Sequence, residues 1–227
     1  MPTCRPMRRS TRGPAPRRLT LPNGPRWSKP RINAGAVRAA IAYGALSAVA
    51  VTIALVLRDG PAWEHPTPWL ELRKPAAIAL SALLGLVLAA VVIAATRVVV
   101  VRFDWGRRLH RDLRPMARDL SLGHILMLAG LSSLGEELLF RGLLTPAIGV
   151  GLSAALFGLA HQMSGPSRWV WVCWAVVIGV GLGSVFAATG SLVGPLLAHA
   201  IMNAVNLAYL RDNEPRGTDD EKAAPAR

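Results

Sequence analysis

Six stretches of this 227-residue chain are apolar enough, and long enough, to cross a lipid bilayer, and that settles its fold class first. A crossing takes about 20 mostly apolar residues wound as a helix. Hydrocarbon offers the backbone no outside hydrogen-bond partner, so the segment must satisfy itself. The runs fall at about residues 36–57, 75–101, 121–144, 146–162, 169–189 and 192–210. The expected fold is all-α, a polytopic transmembrane helix bundle of about six spans. Pro146, Gly165-Pro166 and Gly190 mark the turns between the later spans. Gly179 and Gly183 form a GxxxG in the fifth span, a spacing that lets helices approach closely.

The net charge of +13 would suit nucleic acid, but its placement argues otherwise. Residues 1–35 hold eight Arg and one Lys with no acid, and the loop 102–120 holds six Arg against three Asp. Both flank apolar spans, as the positive-inside rule expects of cytoplasmic segments, and both suit contact with anionic lipid. Nucleic acid is not an expected partner; the lipid bilayer is. With six spans, both termini are expected in the cytoplasm of a multi-pass cell-membrane protein. The chain divides into a basic, disordered tail (1–35), a two-helix hairpin with its basic loop (36–119), a helical core (120–210) and a polar, disordered tail (211–227). Residues 102–120 are expected to include a short interfacial helix.

Polar groups inside the later spans do not fit a plain anchor. The third carries Glu136, Glu137 and Arg141, the fourth Phe157 and His161, the sixth His199 and Asn203. A charge at the bilayer centre costs on the order of 3 kcal/mol on insertion scales, so intramembrane ionisable groups are functional candidates. Residues four apart share a helix face. Glu137 and Arg141 are therefore expected to form a structural ion pair, while Glu136 points about 100° away. Phe157 is expected to pack, against His161 among others. If the three helices touch, Glu136, His161, His199 and Asn203 converge on one polar cavity.

Peptide hydrolysis suits that set. It needs a base for water, donors for the oxyanion and an acid for the leaving amine. Glu136 would take and return the proton, His161 would hold the water, and His199 with Asn203, one turn apart, would meet the oxyanion. A zinc alternative uses Glu136, His161 and His199 as three ligands with an open position. The metal-free reading, with no cofactor, is the favoured one of the two.

"EELLFRG", "FGLAH" and "HAIMN" resemble, in order, the EExxxR, FxxxH and HxxxN motifs of the CAAX protease and bacteriocin-processing (Abi) family of intramembrane proteases. The resemblance runs from about Leu120 to Leu210 and fills all seven signature positions. It implies an intramembrane endopeptidase acting on a membrane-associated or lipidated protein or peptide. Glu136 would be the base, His161 would share the water, His199 and Asn203 would form the oxyanion site, and Glu137 and Arg141 would support them. Two other readings stand beside it: a non-catalytic immunity or peptide-binding membrane protein, and a small transporter.

Overall fold

The computed structural model describes residues 34–58 and 60–214. The tails expected over 1–35 and 211–227 lie largely outside the described residues. Those described are helical, without a named strand: α1 (Ala34–Arg58), α2 (Lys74–Arg102), α3 (Asp104–Leu113), α4 (Leu122–Glu137), α5 (Thr145–Ala160), α6 (Arg168–Thr189) and α7 (Val193–Asp212). A π-helical turn, Leu138–Leu144, links α4 to α5. Five helical runs among them are long and apolar enough to cross a membrane. Their outer faces carry bare Ile41, Val56, Val91 and Val177. In water such faces would be a liability; in a multi-pass membrane protein they meet lipid tails.

Four spans lie where the apolar runs place them. The third and fourth are joined instead in one 39-residue run, Leu122–Ala160. Pro146 does not end the helix, because it stands in the first turn of α5, where a missing N–H costs nothing. The π turn feeds into it: Thr145 N bonds the Phe140 carbonyl five residues back. That carbonyl also accepts the Thr145 and Ser153 hydroxyls, each at 2.8 Å. The chain breaks three residues later, at Gly149, whose φ of 81° and ψ of 165° are open to glycine alone at little cost.

The loop 102–120 does form a short amphipathic helix. In α3, Leu109, His110 and Leu113 are buried while Arg108 and Arg111 are exposed.

Helix packing sets the site. α5 lies along α6 where the two glycines expected to permit it fall. A Cβ on Gly179 would meet Ala154 and Phe157 at 3.2 Å, and one on Gly183 would meet Val150 at 3.0 Å. α7 is fixed against α2 at its start. The Ser81 hydroxyl donates to Ser191 O at 2.8 Å and accepts from Gly194 N at 2.9 Å. Below that point Ala89 and Val92 of α2 pack on Leu182, Ala198 and Met202. α1 leans on α4 and the π turn through Ala50, Ala54 and Leu138.

Candidate active site

The site is built from helix depth first. Glu136 lies about 21 Å along α4 from Leu122, and His199 about 9 Å along α7 from Val193, at 1.5 Å per residue. The helices run in opposite senses, Glu137 meeting His199 and Ser132 meeting Asn203. The two side chains therefore reach the same level.

The ion pair that supports the site is fully buried. Arg141 Nη1 donates to Glu137 Oε1 at 2.9 Å, and the two side chains are 1% and 0% exposed. Arg141 Nη2 donates to Gly179 O at 3.2 Å, and its guanidinium lies 4.3 Å from the centre of the Phe157 ring. The planar guanidinium thus meets a carboxylate, a carbonyl and a ring face at once, which an ammonium could not do. Gly179 admits Phe157 by having no side chain of its own.

Glu137 Oε1 takes a second donor, His199 Nδ1, at 2.7 Å. A carboxylate only accepts, so Nδ1 carries the proton and Nε2 of the neutral ring is a lone pair. His161 is oriented in the same way by backbone. Its Nδ1 lies 2.8 Å from the Phe157 carbonyl, which again leaves Nε2 bare. Phe157 packs against both rings, 4.4 Å from His161 and 5.8 Å from His199 between centroids.

Glu136 completes the group from the other face of α4. Its Oε2 lies 3.6 Å from His161 Nε2 and 3.9 Å from His199 Nε2. That oxygen is buried and has no hydrogen-bond partner. Three acceptor atoms therefore face one small space, and no protein donor lies between them. A buried unmatched acceptor costs roughly 1–3 kcal/mol, more if charged. Such a space calls for a donor from outside, and a water molecule has two. The His161 and Glu136 side chains are 22% and 14% exposed.

Ligands about 2.0–2.1 Å from a tetrahedral zinc lie about 3.3 Å apart. The spacings here are wider, and no three His, Cys, Asp or Glu among the described residues form a group that could hold a metal ion.

Asn203 stands apart from this trio. Its Nδ2 donates to the Ser132 hydroxyl at 3.2 Å and to neither histidine nor Glu136. The amide has a second N–H to give, one helical turn from His199. Three neighbours were not singled out from the sequence. Ser132 sits four residues before Glu136, a spacing that was there to be read. The Trp171 ring lies 5.9 Å from the His161 ring between centroids. Tyr43 of α1 lies beside the Glu136 carboxylate.

Residues 118–205 match the family described as Rce1-like, type II CAAX prenyl endopeptidase Rce1-like. The uncharacterized protein YpbD of Bacillus subtilis (strain 168) is 34% identical over 91 residues, or 40% of this chain. The chain spans about half, 48%, of the length of that curated relative. No solved structure matches.

Proposed function

Because residues 118–205 belong to the Rce1-like family of CAAX proteases, we propose that this chain is an intramembrane endopeptidase. It hydrolyses a peptide bond of a membrane-associated or lipidated protein. The observation that supports the reading best is the bare Glu136 Oε2 facing two imidazole lone pairs.

A water held between Glu136 Oε2 and His161 Nε2 donates one hydrogen bond to each. Glu136 takes the proton as the oxygen attacks the scissile carbonyl, and returns it to the departing amine. The oxyanion is met by the free N–H of Asn203 and by His199 Nε2–H. His199 donates from Nε2 when its ring carries both protons, with Nδ1–H lying on Glu137. Glu137 and Arg141 hold the imidazole and do not touch the substrate. No step is assigned to a metal. The basic segment 102–118 supports entry of α4 from the cytoplasmic side of the cell membrane.

The test is cleavage by the purified full chain in liposomes, with farnesylated peptides and membrane-anchored reporters as substrates. Glu136→Gln and His161→Ala should each slow cleavage by about 10²–10⁴, the range of a general base. Wild-type cleavage should survive a chelator. Equal rates in wild type and Glu136→Gln would refute the reading.

A further inference from the structure

The three motifs all lie after residue 130, yet α1, far outside the matched segment, packs beside Glu136. The residues of α1 that face α4 form one stripe: Tyr43, Leu46, Ala50 and Ala54 recur at helical spacing. Ala50 and Ala54 are wholly buried. The stripe presses on α4 at Gly135, the residue before Glu136. A Cβ there would meet the Tyr43 carbonyl at 3.1 Å, the Tyr43 ring at 3.2 Å and Leu46 at 3.5 Å. α1 is therefore seated at the level of the site, and Tyr43 is the residue seated there.

A tyrosine of the lipid belt sits at a helix end, among headgroups. Tyr43 lies about 13 Å along α1 from Ala34 at 1.5 Å per residue, and is half-buried. Its hydroxyl needs a partner inside the protein. Glu136, the residue after Gly135, brings its carboxylate beside that hydroxyl. Among the described residues no arginine or lysine pairs with Glu136, and Arg141 is engaged with Glu137 and Gly179 O. The one oxygen known to be unpaired, Oε2, is the one aimed at the histidines.

We propose that Tyr43 is a positioning residue for Glu136, so that α1 supplies part of the active site rather than a bare anchor. The phenol donates to the carboxylate and fixes its plane, which keeps Oε2 on the two imidazoles. It acts through Glu136 and does not touch the water or the substrate. The inference rests on the endopeptidase reading for its kinetic consequence, but the contact itself does not.

Tyr43→Phe removes the hydroxyl and keeps the ring against Gly135. In the full chain in liposomes, kcat for the reporter peptide should fall about tenfold, with KM within twofold. Ser47→Ala, one turn further along α1, should leave both constants within twofold. A second measurement needs no turnover: infrared spectra of protein labelled with ¹³C-glutamate. The carboxylate band that Glu136→Gln abolishes should shift in Tyr43→Phe. An unshifted band overturns the contact. A shifted band with unchanged kcat, or with only KM raised, overturns the positioning role. A kcat loss that Ser47→Ala reproduces marks α1 packing and overturns it too. A shifted band in a protein that cleaves nothing leaves the contact standing and sinks the protease reading instead.

Discussion

His199 and Glu137 are joined across two helices at 2.7 Å, and the same Glu137 oxygen holds Arg141 at 2.9 Å on its own helix. One carboxylate oxygen thus ties α4 to α7, beside the Asn203–Ser132 bond between the same helices. Everything the proposed chemistry asks of His199 depends on that tie, because it decides which ring nitrogen faces Glu136.

Breaking the pair from either side should be costly. Removing one partner leaves an uncompensated buried charge, worth about 3–5 kcal/mol. Glu137→Gln and Arg141→Met should each lower the melting temperature of the detergent-solubilised protein sharply. Glu137→Leu together with Arg141→Met should cost less than the two single changes added. Arg141→Lys keeps the charge but cannot serve Glu137, Gly179 O and the Phe157 face at once, so it should fall between wild type and Arg141→Met. Additive losses in the double variant would contradict the pairing.

Asn203 and Ser132 should separate in kinetics. Asn203→Ala removes a proposed oxyanion donor and should lower kcat by about 10²–10³. Ser132→Ala removes the acceptor that orients that amide, and should cost about tenfold, one charge-free hydrogen bond or a little more. A Ser132→Ala loss as large as that of Asn203→Ala would mean the hydroxyl itself acts.

The sequence disclosed the polar set because apolar spans make an off-pattern residue conspicuous. Glu137 with Arg141, Phe157 with His161 and His199 with Asn203 are each pairs at four-residue spacing, and helical geometry alone puts each pair on one face. What the sequence could not disclose lies between helices. That His199 turns Nδ1 to Glu137 needs the α4–α7 crossing, and Tyr43 looks like any aromatic residue in a greasy span until α1 is docked on Gly135. The break between the third and fourth apolar runs was sought at Pro146, the stronger signal. Proline is tolerated in a first helical turn, and Gly149 makes the bend.

Two glycines of the α5–α6 pair should respond in opposite directions. Gly179→Ala pushes a methyl into Ala154 and Phe157 at 3.2 Å, and overpacking of that kind costs about 1–3 kcal/mol. Gly151 has nothing within 4 Å of its Cβ position. It lies inside α5, so Gly151→Ala should stabilise by about 0.5–1 kcal/mol. Thermal melts of both variants followed by circular dichroism would decide; a stabilised Gly179→Ala would show the seam to be looser than described.

Acid should weaken the fold through histidines outside the spans. His110 on α3 is buried, and burial lowers its pKa below the usual value; Arg114 and Arg97 push the same way, against the Asn213 carbonyl on which Nε2 donates at 2.9 Å. The unfolded chain then takes up the proton first, at about pH 6.5. Stability is complete above that pH and falls as pH drops below it. His65, lowered first by burial and then by Arg58, adds to the same trend. Melting at pH 5 should therefore come earlier than at pH 7.5, and His110→Gln should narrow the gap. A gap unaltered by His110→Gln would assign the effect elsewhere.

The Glu137–Arg141 pair has one more consequence, for how such a chain gets into lipid at all. Its two charges sit a single turn apart on the same strand of polypeptide, so they find each other as soon as that turn winds. The segment can leave the insertion machinery already neutralised, without waiting for α7 to be synthesised. His199 then joins a salt bridge that is standing, and α7, emerging later, finishes the cluster.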